Sequence, residues 1–328
     1  MPKYVLSNLE YLKATFPDED LYFISDCRKS IAKANQKGIK TWLAPNPEMQ
    51  WQGVRAELDH PLEFRDGFWF KTLARIFVLN SFMQVHQNQE VLQIEADVFL
   101  FPSFPISKFI DLNVEISFPM ESYDRGIASI LYLKNHKISE KLTDIALIEF
   151  ENNKNLTDML LLGNIAHSRL LNFLPLPTLP NDMQNALNDA NAFGLVCNNS
   201  INTSGVFDGI SVGQYLLGID PRNSRGLLKL YRSQSSHAIN VNNLTLGLNI
   251  DENVVLKDSG RDILVFNLHN HAKDLRLYKG KSRKKLLQKR VKSSGQGEIQ
   301  ELVIKVFLVS VFKSIIRKVR NGLHQQKI

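Results

Sequence analysis

The chain is predicted to be an α/β protein built on a mostly parallel sheet. Short apolar runs alternate with segments of helical periodicity along its first half. Acidic residues stand directly after two of those runs, where ligands of such sheets bind. The third observation is bulk. A sequence of 328 residues, 44% of them hydrophobic, can bury a sizeable core, and 22% charged residues exclude global disorder.

The elements follow in order. Leu21-Tyr22-Phe23-Ile24-Ser25 reads as a strand that ends in Asp26. Residues 28 to 37, rich in Lys, Ala and Gln, read as a helix with Gly38 closing it. Ile39 to Leu43 reads as the next strand and Pro45 to Phe64 as a loop. Gly67 to His86 carries Phe68, Leu73, Ile76, Phe77, Leu79, Phe82 and Met83 at helical spacing. Val91 to Ile94 reads as a buried strand, with further strands at Val114 to Phe118 and Ile127 to Leu133. Helices are predicted over Glu140 to Glu149 and Thr157 to His167. Beyond the Pro-rich stretch Leu174 to Pro180, helices are predicted over Asp182 to Asp189 and from near Gly209. Strands are predicted at Leu244 to Leu248, Val254 to Leu256 and Ile263 to Phe266.

Four constellations can carry chemistry. Glu95-Ala96-Asp97 places two carboxylates on a turn after a buried strand, and hard divalent cations such as Mg²⁺ and Mn²⁺ prefer oxygen ligands. Asn267-Leu268-His269-Asn270-His271-Ala272-Lys273 offers two imidazoles on one face and a lysine suited to phosphate. Phe207-Asp208-Gly209 opens a helix containing Gln214, with Asp208 either a capping residue or a base near an acceptor. Lys71 and Arg75 share a face of the apolar helix before the acidic turn, where Arg75 pairs with an acid or reaches phosphate.

Taken together these motifs resemble a family of bacterial and viral GT-A glycosyltransferases. The resemblance spans about residues 20 to 278. It runs through Phe68-Trp69-Phe70 and Arg75-Ile76-Phe77, then Ile94-Glu95-Ala96-Asp97-Val98-Phe99-Leu100, then Gly126-Ile127-Ala128-Ser129. It continues from Phe207 to Arg222 and closes with Asn267 to Lys273. The family implies an open α/β sandwich, a nucleotide-sugar donor, and Mn²⁺ or Mg²⁺ held by the acidic motif and a late histidine. On that pattern Asp97 with His269 or His271 would bind metal. Asp26, Lys71, Arg75 and Lys273 would serve the nucleoside and its phosphates. Asp208 and Gln214 would serve catalysis, with Asp208 the acceptor base if the enzyme inverts. The commonest motif of the family begins with Asp. Glu95 stands there instead, and its longer side chain would contact donor sugar or ribose.

Charge divides the chain. From Lys273 to Ile328 there are 16 Lys/Arg against 3 Asp/Glu, while the remainder holds 24 basic and 30 acidic residues. The implied organisation is a catalytic domain over 1–278, then a basic linker and amphipathic helix over 279–328. Such a tail suits an anionic membrane surface through residues 276–328 and a glycan or lipid-linked acceptor there. Nucleic acid is disfavoured, because the tail has few aromatic residues for stacking. The N-terminus lacks the apolar segment of a signal peptide, and no uncharged apolar stretch is long enough to span a bilayer. With only Cys27 and Cys197, both expected to be buried, the chain is expected to be cytoplasmic and peripherally membrane-associated. Two other functions use the same features: an inactive adaptor of membranes or polyanions, and a metal-dependent phosphoesterase or nucleotidyltransferase.

Overall fold

A computed structural model describes residues 1–45, 67–87, 90–110, 112–197, 203–218, 237–258 and 260–294. The predicted loop from Pro45 to Phe64 and the helix from Glu298 onwards therefore lie mainly or wholly outside the described residues, as do Asp220, Pro221 and Arg222 of the Phe207 motif.

The chain opens with an unanticipated helix, α1 (Lys3–Thr15). Val5, Leu9 and Leu12 recur on one face and are buried, with Asn8 buried among them. β1 (Tyr22–Ser25), α2 (Arg28–Asn35) and β2 (Lys40–Leu43) form a βαβ unit whose strands pair in parallel. Gly38 adopts φ 66° after α2, a left-handed conformation in which a side chain is strained. The long α3 (Phe68–His86) buries Phe70, Leu73, Ala74, Ile76, Phe77, Leu79, Phe82 and Met83, which accounts for its apolar periodicity.

β3 (Val91–Ile94) and β4 (Val98–Leu100) flank the acidic turn. The short α4 (Ser107–Ile110) precedes β5 (Ile116–Ser122), β6 (Arg125–Gly126) and β7 (Ile130–Leu133). Two helices follow. α5 (His136–Asn152) starts at Asn135, whose side chain accepts from the Ile138 N–H at 3.1 Å. α6 (Asp158–Ser168) starts at Thr157, which accepts from the Leu160 N–H at 3.2 Å. β8 (Phe173–Leu176) completes a five-stranded sheet of order β3-β7-β5-β6, with β8 beside β5.

The second half adds α7 (Phe193–Val196), β9 (Gly205–Val206) and α8 (Ser211–Leu217), then β10 (Thr245–Leu248), β11 (Val254–Asp258), β12 (Arg261–Val265) and β13 (Asn267–His269). β10-β11-β12-β9 form a second sheet, and β13 pairs antiparallel with β4. The last described helix is α9 (Gly280–Ser294).

The α/β class stands, but the mostly parallel sheet does not. Among the described residues only β1–β2, β5–β8 and β9–β12 pair in parallel, while the other strand pairs are antiparallel. The cause is connection length. The turns between β5, β6 and β7, and between β11 and β12, are too short for the crossover that parallel neighbours require. The helix predicted over Asp182 to Asp189 is also absent; only a 3₁₀ turn, Gln184–Ala186, forms there. Asp182 is instead drawn to Arg261. Cys197 is buried as expected, but Cys27 is exposed at the start of α2.

Residues 280–294, expected as a linker, form a helix docked on the body. Leu286 and Leu287 are buried, Arg283 lies over the rings of Tyr11 and Phe99 at 5.4 and 5.2 Å, and Lys284 pairs with Glu252 at 2.5 Å. Among the described residues no helix is long and apolar enough to cross a membrane.

Candidate metal centre

The acidic turn is closed by its own backbone and held from three sides by hydrogen bonds. The Glu95 N–H donates to the Ser129 carbonyl at 2.9 Å, and the Val98 N–H donates back to the Glu95 carbonyl at 2.9 Å, closing the turn. From α1, the Asn8 amide donates to the carbonyls of Ala96 and Val98 at 3.1 and 2.8 Å. The Tyr11 hydroxyl donates to the Leu100 carbonyl at 2.9 Å. From the end of β13, the Asn270 N–H donates to the Asp97 carbonyl at 2.7 Å. A turn fixed in this way can hold two carboxylates at a set separation.

His269 completes the group. β13 runs beside β4 with His269 opposite Val98, which brings the imidazole over the turn. His269 Nε2 lies 3.4 Å from a Glu95 carboxylate oxygen and 3.6 Å from one of Asp97. One ligand atom from each residue falls within 4.8 Å of the other two, so Glu95, expected at the donor sugar or ribose, stands among the possible metal ligands instead. Adjacent ligands at the ~2.1 Å bond length of a small divalent cation stand about 3 Å apart, so this set is near the spacing required. His269 Nδ1 lies 3.0 Å from the Gly209 carbonyl, to which it donates. That bond leaves Nε2, which faces the two carboxylates, as the ring nitrogen available to a metal.

Two fixed cations border the carboxylates. Arg75 reaches from α3 to both Glu95 and Asp158, the first residue of α6. Asp158 is 3% exposed, so Arg75 is the partner of a buried acid as well as of the turn. Burial alone would raise the Glu95 carboxyl, but the charge and hydrogen bond of Arg75 together with the neighbouring His269 and His271 outweigh it and lower the group to about 2. Lys273 pairs with Asp97 from a backbone in the left-handed region, φ 55°, just past the His-Asn-His run. The O, O, N donor set suits Mn²⁺, because carboxylates favour hard cations and imidazole tightens the borderline ones.

The other predicted site residues separate into two groups. His271 holds its ring 4.2 Å from that of His269, tilted by 45°, and does not join the three-ligand cluster. Gln214 lies in α8, and its Oε1 is buried with no hydrogen-bond partner among the described residues. Asp26 is exposed after β1, and Lys71 is exposed on α3; among the described residues neither contacts the cluster.

Asp208, read as either a cap or an acceptor base, has its carboxylate engaged by backbone donors at the start of α8. It is 2% exposed, and its carboxylate accepts the N–H groups of Val212, Gly213 and His269 at 2.9, 2.8 and 2.9 Å. The Asn267 side chain also bridges the Asp208 N–H and carbonyl. Burial pushes its carboxyl up although these donors oppose the rise. Gly213 is required at this junction: a Cβ there would meet the His269 carbonyl at 2.4 Å.

Two supporting residues escaped the sequence reading. Asn8 had a signal, a polar residue inside the apolar stripe of α1. Asp158 had a misleading one, since an acid at the first position of a helix reads as a dipole partner. No family model, curated protein or solved structure matches this chain.

Proposed function

We propose that this protein is a metal-dependent glycosyltransferase that moves a sugar from a nucleotide-sugar donor to a glycan or lipid-linked acceptor. The observation that carries this function is the meeting of Glu95, Asp97 and His269 between Arg75 and Lys273. A nucleoside diphosphate leaving group accumulates negative charge as the glycosidic bond breaks. Cations placed beforehand stabilise that charge at no cost in reorganisation.

Glu95, Asp97 and His269 would hold Mn²⁺ or Mg²⁺, which when bound neutralises the diphosphate. Lys273 supplies a point charge next to Asp97 and can exchange it for a phosphate oxygen. Arg75 keeps Glu95 ionised and aimed. The GT-A architecture belongs to the same proposal, and it rests on this constellation and the motif order, since the sheets are mostly antiparallel. So does peripheral attachment to an anionic membrane, supported by the exposed Lys281, Lys285, Lys289 and Lys292 along α9.

The test is release of nucleoside diphosphate from a panel of nucleotide sugars with and without Mn²⁺. Metal-dependent release with a glycosylated acceptor is expected from the wild type, and no release from Asp97→Asn. Phosphate or pyrophosphate as the product would move the site to a phosphoesterase or nucleotidyltransferase. Full turnover by Asp97→Asn would remove the metal centre from the mechanism.

A further inference from the structure

With Asp208 committed to three backbone donors, the acceptor proton needs another destination. We propose that Ser211, His237 and Glu121 form the relay that takes it. This inference rests on the glycosyltransferase function above.

The three side chains are in line. Ser211 Oγ lies 2.9 Å from His237 Nδ1, and His237 Nε2 lies 3.1 Å from a Glu121 carboxylate oxygen. His237 and Glu121 are 4% and 8% exposed. A carboxylate only accepts hydrogen bonds, so Glu121 places the imidazole proton on Nε2. Nδ1 is then the acceptor, and the Ser211 hydroxyl donates to it. A hydroxyl hydrogen-bonded to an imidazole that is itself oriented by a buried carboxylate is the arrangement by which proteins make a serine give up its proton. Arg125 Nε lies 3.4 Å from the other Glu121 oxygen, and the Ala238 N–H donates to the Glu121 carbonyl at 2.7 Å, fixing the segment that carries His237.

The relay has room for one reacting group. Glu121, Thr178, Asp208, Ser211 and Ile239 line a pocket of about 10 Å³, the space of a single water or hydroxyl. Thr178 is 4% exposed, and its Oγ1 is buried with no hydrogen-bond partner among the described residues. An incoming hydroxyl would satisfy it. The pocket is also coupled to the metal centre, because Gly209, two residues before Ser211, accepts the hydrogen bond that orients His269.

The ligand is therefore an alcohol hydroxyl of the glycan or lipid-linked acceptor. As its oxygen bonds to the anomeric carbon, its proton passes to Ser211 Oγ and the Ser211 proton passes to His237 Nδ1. The bond from the anomeric carbon to the diphosphate breaks, and its electron pair leaves with the nucleoside diphosphate. Ser211 touches the substrate, His237 is the base, and Glu121 is a positioning residue.

The experiment compares wild type with Ser211→Ala, His237→Gln and Glu121→Gln in Mn²⁺-dependent transfer, alongside ¹⁵N-histidine NMR of the full chain. The first two variants should lose at least about 100-fold in kcat, the lower range of acid–base catalysis, with nucleoside diphosphate affinity within twofold of wild type. The His237 resonances, assigned by their loss in His237→Gln, should show the Nε2–H tautomer in wild type and a changed tautomer balance in Glu121→Gln. An Nδ1–H tautomer in the wild type overturns the relay even if a variant fails to fold. So does a wild-type kcat in Ser211→Ala. A wild type that transfers no sugar overturns the glycosyltransferase function itself, and the relay with it, which separates the two failures.

Discussion

Asp97 and Asp208 are the same residue type, sit against the same strand β13, and do opposite work. Asp97 gives its backbone carbonyl to Asn270 and leaves its carboxylate to Lys273 and to the space shared with Glu95 and His269. Asp208 spends its carboxylate on three N–H groups, one of them that of His269. The difference teaches that an acid's role is set by the donors around it. Side-chain cations can be displaced by a metal or a phosphate, whereas backbone N–H groups stay where the fold puts them.

The comparison can be broken at each end. Asp208→Ala should have the largest effect, because it strands three buried N–H donors; at 1–3 kcal/mol each, a loss of about 4 kcal/mol is expected, read by urea denaturation. A stable variant that loses only turnover would restore Asp208 to the chemistry. Arg75→Met should follow at about 3 kcal/mol, since it leaves Asp158 buried and unpaired. There the double variant Arg75→Met/Asp158→Leu should recover much of the loss.

Asp97→Asn sharpens the other end. Its folding stability without metal should stay within about 1 kcal/mol of wild type, because its carboxylate partner is a partly exposed lysine. Its Mn²⁺ affinity should fall on the order of 100-fold, as removal of a ligand costs at least as much as the loss of an outer-shell partner. Calorimetric titration measures this directly. Mn²⁺ at 100 times the wild-type dissociation constant should stabilise wild type by about 2.7 kcal/mol and the variant by only about 0.4 kcal/mol. Lys273→Met should give the smallest change. Without the competing ammonium, Mn²⁺ should bind a few-fold more tightly, while a nucleoside diphosphate should bind a few-fold less tightly. Movement of both in one direction would show that Lys273 does not trade Asp97 for phosphate.

Much of this was legible from particular residues. β3 and α3 fall within a residue of their predicted bounds, because an apolar run cut off by charge and a long helical period are local signals. Asp97 and His269 were readable as partners only through motif order, as 172 residues separate them and no local rule joins them. Strand direction was not legible. It depends on which strands become neighbours across short turns, as β5, β6 and β7 show, and apolar runs carry no sign of direction. The role of Asp208 was undecidable for a similar reason: one of its three donors, the His269 N–H, lies 61 residues away.

The docking of α9 carries one more consequence. Lys281, Lys285, Lys289 and Lys292 recur along one exposed side of a helix anchored by Leu286 and Leu287. At 1.5 Å per residue they form a rule about 16 Å long with charges at set intervals. A flexible tail adapts its charges to whatever anion it meets and loses entropy in doing so. A ruled edge loses little, so under the proposed attachment to an anionic surface, anions laid out at a matching interval would engage several lysines at once and irregular ones only a few.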